Sequence, residues 1–206
     1  GDDPNYKGSR VIATSGLGVI PEGLDLAPRR VQVGDRILLS GPIGAHGVAL
    51  LSQRQGLQFD TAVLSDSAPL YGLAQALLQA CPEVRVLRDP TRGGVASVLH
   101  ELARSACLAM EIDEAAIQLE EAVASACELL GLDPLHVANE GRMLALVPEA
   151  SVASALAALQ GHPQGREACV LGRAVAEPAG RVLLRTRLGA LRRVERPLHE
   201  PLPRIC

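Results

Sequence analysis

Aromatic side chains are almost missing from this chain: Tyr6, Phe59 and Tyr71 are the whole supply in 206 residues, and there is no tryptophan. A basic surplus is missing too, since 20 Lys and Arg stand against 23 Asp and Glu for a net charge of -3. Binding nucleic acid takes cations to neutralise phosphates and rings on which bases stack, so no nucleic-acid partner is expected. No window approaches about 18 unbroken apolar residues, the length of a membrane-spanning helix, so no membrane partner is expected either. The opening GDDPNYKGSR lacks the charged-then-apolar plan of a secretory signal. We therefore expect a soluble, cytoplasmic protein. The five cysteines, Cys81, Cys107, Cys127, Cys169 and Cys206, are widely spaced, with no CxxC and no Cys/His cluster. That excludes a disulfide framework and leaves no metal-ligand set, as in a reducing compartment. Four of the five lie in or beside apolar stretches, where thiols act as small hydrophobes. Cys206, the last residue, lies in none.

What is present is an ordinary globular composition, 48% apolar and 21% charged. VIATSGLGVI and RILLSGPIG are short apolar runs ending in glycine-rich turns, which predicts strands opening into loops. In SAPLYGLAQALLQA, Leu70, Tyr71, Ala74, Leu77 and Leu78 recur at helical spacing, with Ser67 as the expected N-cap. VRVLRD reads as a strand, and GGVASVLHELARSA as a helix with Val95, Val98, Leu99, Leu102 and Ala106 on one stripe. AMEID and MLALV read as strands, EEAVASACELL and SVASALAALQ as helices. CVLGRAV, RVLLRT and ALRRVE read as three closing strands, broken by Pro178-Ala179-Gly180 and by Gly189. Helices in the middle with strands at both ends predict an α+β domain with helices packed on a mixed or antiparallel sheet. Residues 1–10 read as a vector-derived or disordered leader, 11–196 as the domain, and 197–206, with Pro197, Pro201 and Pro203, as an extended flexible tail.

Four stretches can carry chemistry. RDPTRGG, Arg88 to Gly94, lies between a strand end and a helix start. There the helix offers unpaired N–H groups to an anion, Gly93 and Gly94 allow close approach, and Arg88 and Arg92 add positive charge. The alternative is that Asp89 or Thr91 merely caps the helix. ANEGR, Ala138 to Arg142, places the carboxylate of Glu140 in a polar turn before a strand, where it is either a general base or a surface turn residue. SGPIGAHG, Ser40 to Gly47, is a glycine-rich loop carrying His46 and opening a helix, a weak nucleotide signal taken alone. Arg185, Arg187, Arg192, Arg193 and Arg196 read as solvated faces of edge strands. The closing PLPRIC ends on a thiol; the stretch from His199 to Cys206 reaches at most about 23 to 25 Å when fully extended.

Taken in order, TSGLGVIPEGL, GDRILLSGPIGAHG, RDPTRGGV, CELLGLDPLHVANEGR and the terminal PLPRIC make the chain resemble the C-terminal part of the HypE family of hydrogenase maturation proteins, from about Val11 to Cys206. That family lies in a superfamily with aminoimidazole ribonucleotide synthetase (PurM) and selenophosphate synthetase, and the resemblance implies a fold like the PurM C-terminal domain. It implies that ATP is used to dehydrate an S-carboxamide on the terminal cysteine to a thiocyanate, the source of cyanide for nickel-iron hydrogenase. The partners it implies are the carbamoyltransferase HypF, the HypC-HypD complex and a second copy in a homodimer.

By the same resemblance Cys206 is the carbamoyl and cyano carrier, and Glu140 the carboxylate that takes protons during dehydration. Arg88, Asp89, Thr91, Arg92, Gly93, Gly94 and Asn139 lie near the nucleotide. An N-terminal domain of the family supplies the acidic Mg2+ and ATP ligands, the main dimer contact and a Gly-Asp-Thr-Lys segment; none of these has a counterpart here. The resemblance thus implies a lobe that bears the acceptor thiol, binds ATP poorly and does not turn over alone. Two other readings stand beside it: a docking module for maturation partners with no chemistry of its own, and another ATP-dependent synthetase of the superfamily, in which a terminal Pro-Arg-Ile-Cys has no place.

Overall fold

The computed structural model describes residues 15, 17–55 and 63–196. The leader 1–10, the tail 197–206 and Cys206 itself lie outside the described residues. Twelve elements follow in the order β1 (Arg36–Leu39), α1 (Ala45–Gln55), α2 (Tyr71–Ala80), β2 (Val86–Arg88), α3 (Gly94–Ala106), β3 (Ala109–Asp113), α4 (Glu121–Leu130), β4 (Leu144–Val147), α5 (Val152–Gln160), β5 (Cys169–Val175), β6 (Val182–Arg185) and β7 (Leu191–Arg193). The strands form one mixed sheet in the order β2-β4-β1-β5-β3-β6-β7, antiparallel throughout except for the parallel β3–β6 pair. The expected α+β class is therefore the observed one.

Alternation along the strands sorts the apolar residues into two layers. Ile37 and Leu39 of β1, Leu144 and Leu146 of β4 and Val86 of β2 join α3 in the larger core, with Val95, Leu99 and Leu102 from its stripe. Leu38, Ala145 and Val147 turn to the other face, where Leu73 and Leu77 of α2 and Ala155 and Leu159 of α5 cover them. A third, smaller cluster joins α1 to α4 through Ala45, Val48, Val123, Ala126 and Val137. The register slips between Ile37 and Leu38, which face Gly172 and Val170, so β5 carries one extra residue, Leu171.

Four sequence expectations are corrected. The helix of SAPLYGLAQALLQA begins at Tyr71 after Leu70, and Ser67 does not cap it. The cause is Pro69, whose ring disfavours helical backbone at Ala68 and so postpones the helix. Its buried residues are Leu73 and Leu77, and Tyr71 is exposed. Residues 17–20 of VIATSGLGVI form no strand. Cys107 is not a core residue: it is exposed, with φ 54°, at the C-terminal end of α3. There the Leu108 N–H reaches back to the Ala103 carbonyl at 3.1 Å, a closure that needs a left-handed residue and ordinarily uses glycine.

Candidate functional site

Because β4 runs antiparallel to both β1 and β2, the C-terminal ends of β1 and β2 and the start of β4 meet at one edge of the sheet. Three of the singled-out loops leave from that edge: Ser40–Gly47, Arg88–Gly94 and Ala138–Arg142. Asn139 joins them. Its side chain is 1% exposed; Nδ2 donates to the Pro90 carbonyl (2.9 Å) and to the Val137 carbonyl (3.1 Å), and Oδ1 accepts from the Gly44 N–H (2.7 Å). The Asn139 backbone N–H also goes to the Pro90 carbonyl at 3.2 Å, and the Gly47 N–H to the Ala138 carbonyl at 3.0 Å. A buried amide without partners would be costly, and here both ends are satisfied by backbone. Asn139 therefore lies next to the Arg88–Gly94 loop, with its polar atoms committed to holding it in place.

Glu140 is exposed, and its backbone N–H is held at 3.1 Å by Oδ1 of Asp66, a residue to which sequence reasoning gave no role. The Asp66 side chain is only 2% exposed, and its Oδ2 has no hydrogen bond but lies 3.7 Å from Nε of Arg142. Arg142 in turn donates from Nε to the Pro42 carbonyl at 2.6 Å. Gly141 lets the two segments touch: a Cβ there would sit 1.7 Å from the Asp66 carbonyl oxygen. His46 completes the cluster, with Nδ1 2.8 Å from the Ser65 hydroxyl. No local signal marked Asp66, since the expected cap was Ser67 and the contact with Glu140 spans 74 residues.

In the Arg88–Gly94 loop, Arg88 forms a two-pronged ion pair with Glu101 of α3, Nη2 to Oε2 at 2.9 Å and Nη1 to Oε1. That hydrogen bonding raises the Arg88 pKa and holds the Glu101 carboxyl below its ordinary range. Asp89 and Arg92 are exposed, Thr91 is half-buried, and Pro90 is buried. Neither Asp89 nor Thr91 caps α3; the N-cap is Gly93, with φ 72° and no side-chain capping bond. The terminus thus keeps its positive dipole end without a capping carboxylate or hydroxyl. The two glycines answer first to packing within the protein, because a Cβ on Gly94 would lie 2.5 Å from the Leu135 carbonyl and 2.6 Å from that of Val137.

The geometry brings Glu140, Asn139 and the Arg88–Gly94 segment together; Cys206 lies outside the described residues. Among the described residues no group of three or more His, Cys, Asp or Glu can hold a metal ion, and no helix is long and apolar enough to cross a membrane.

Sequence and fold together match a known class of proteins. The chain belongs to the family of AIR synthase related proteins, whose C-terminal domain it matches over residues 32–185. Within that class it is similar to the carbamoyl dehydratase HypE of Azotobacter vinelandii, 50% identical over 195 residues, which cover 95% of this chain and 57% of that protein. Two solved structures agree. HypE in a HypE-HypF complex superposes with a TM-score of 0.82 at 40% identity, covering 85% of this chain and 57% of that one. HypE in complex with ATP superposes with a TM-score of 0.81 at 40% identity, covering 85% and 54%. The chain thus corresponds to the C-terminal region of HypE and spans a little more than half the length of these relatives.

Proposed function

We propose that this chain is the acceptor-bearing C-terminal lobe of an ATP-dependent carbamoyl dehydratase, with Cys206 as the carrier of the carbamoyl and then the cyano group. The observation that carries the reading is the convergence of Glu140 and the Arg88–Gly94 loop at one sheet edge, held together by Asn139.

The chemistry requires such an edge. A carboxamide oxygen is a poor leaving group until it takes the γ-phosphoryl group of ATP. The C–O bond then breaks with phosphate departing, while the nitrogen gives up two protons and a C≡N bond forms. The S-carboxamide, Cys–S–C(=O)–NH2, and ATP become the thiocyanate, Cys–S–C≡N, with ADP, phosphate and a released proton. Glu140, exposed and fixed through its backbone, is the base in this proposal, and Arg92 with the uncapped end of α3 faces phosphate charge. Effective catalysis demands that these groups be held before the substrate arrives, which is what the staple of buried hydrogen bonds supplies. Mg2+, the remaining nucleotide contacts and the homodimer interface fall to the N-terminal half that the family carries, so ATP binding by this lobe alone is expected to be weak. The partners are the carbamoyltransferase HypF for loading and the HypC-HypD complex for unloading.

The test is intact-mass spectrometry after incubation with the carbamoyltransferase, carbamoyl phosphate and ATP. One carbamoyl group on Cys206, absent from Cys206→Ala, is the expected result. A folded chain that takes no adduct would overturn the reading, and so would an adduct that survives Cys206→Ala.

A further inference from the structure

After β7 the described chain does not leave the domain at once. The Val194 N–H extends the β6 ladder by donating to the Val182 carbonyl at 3.0 Å, and the Val194 side chain is 3% exposed in the larger core. Two histidines then seize consecutive carbonyls. Nε2 of His100, on α3, lies 3.0 Å from the Val194 oxygen, and Nε2 of His136 lies 3.1 Å from the Glu195 oxygen. A carbonyl only accepts, so both rings carry their proton on Nε2 and donate it.

The two histidines stand on different elements, and both elements touch the candidate site. His100 is one residue before Glu101, the partner of Arg88. His136 closes the short turn Pro134–His136, and the Leu135 and Val137 carbonyls beside it crowd Gly94 at the start of α3. Arg196, the last described residue, borders an open cleft of about 420 Å³ with Ser97, Glu101 and Arg104. The root of the C-terminal segment is therefore fixed on the α3 face that receives the Arg88 ion pair.

We propose that His100 and His136 are positioning residues that pin Val194–Arg196 against α3, so that the terminal thiol sets out from beside the Arg88–Gly94 loop. The inference rests on the carrier reading of Cys206. Beyond the pinned Glu195 carbonyl, the eleven residues 196–206 reach at most about 36 to 40 Å. Within that radius the position and direction of the root set the effective concentration of the thiol at the site. Loading takes place on a separate enzyme and is indifferent to where the root lies; dehydration is not.

The experiment uses the full-length protein and follows two steps by intact mass: carbamoyl transfer to Cys206, and its ATP-dependent conversion to thiocyanate in a single turnover. His136 is half-buried and accepts substitution more readily than the buried His100. For His136→Ala we expect loading within about twofold of wild type, dehydration slowed about tenfold, and recovery in His136→Gln, whose amide can donate in place of the ring. Dehydration within twofold of wild type, or both steps slowed equally, would overturn the positioning role. A wild-type protein that never takes the carbamoyl group would instead remove the carrier reading, and this inference with it.

Discussion

Strands β2, β4 and β1 bury both faces, under α3 on one side and under α2 and α5 on the other. Strand β3 meets α3 on one face, and its other face carries Glu111 between Arg173 and Arg185, at 3.2 and 3.0 Å, beside an open hollow of about 410 Å³. The sequences differ accordingly: after Arg36, β1 runs Ile-Leu-Leu and β4 runs Leu-Ala-Leu-Val without a polar break, whereas β3 alternates Met-Glu-Ile-Asp. Burial on both faces removes the need for polar alternation, and one exposed face restores it. The candidate loops hang from the doubly covered half, where packing prevents drift, and the root of the C-terminal segment leaves from the half that stays open to solvent.

The most forceful way to break this contrast is a matched pair of truncations. Leu146→Ala, in β4 with no exposed surface, should cost about 3 to 4 kcal/mol, while Arg185→Ala on the open face should stay within about 0.5 kcal/mol. Urea unfolding followed by circular dichroism measures both, which suits a chain with no tryptophan. Equal costs would mean that the two halves are not differently held. Next in size is Asp66→Ala, which strips the counter-charge from the 15%-exposed Arg142 and the acceptor from the Glu140 N–H. A loss of about 3 kcal/mol is expected, and Asp66→Asn should recover part of it by keeping an acceptor.

The smallest effect belongs to the open half and is read through pH. Burial lowers the pKa of His100; the Val194 carbonyl and Glu195 oppose that shift, while Arg196 and His136 add to it. A histidine depressed in the folded state binds fewer protons there than in the unfolded chain. Stability should therefore fall as the pH drops through the ordinary histidine range, and the slope should flatten below the depressed native value. Unfolding curves at pH 7.5 and 5.5 would show this fall, and His100→Gln should reduce it; an unchanged pH dependence in that variant would remove His100 as the cause.

Much of this was legible in sequence because it depends on periodicity. The α3 stripe, the short strands and the loop at Arg88–Gly94 all follow from local pattern, and the resemblance to HypE singled out Asn139, which hydrogen-bonds that loop, and its neighbour Glu140. What was hidden depends on contacts distant in sequence. Asp66 is 74 residues from Glu140, and nothing in SDSAP says that its carboxylate is buried. His100 looks like a polar interruption of a helical stripe until Val194 is brought beside it. Gly94 reads as room for a ligand, yet the carbonyls of Leu135 and Val137 already occupy that room. The exposure of Cys107 also escaped, because an apolar flank does not reveal that a helix must end there in left-handed backbone.

Asn139 binds the loops into one mechanical unit. The Gly44, Gly47, Asn139 and Glu140 amide protons are donated within this single cluster. These amides are expected to exchange with solvent as one cooperative unit, with a common opening free energy that native-state hydrogen exchange measures.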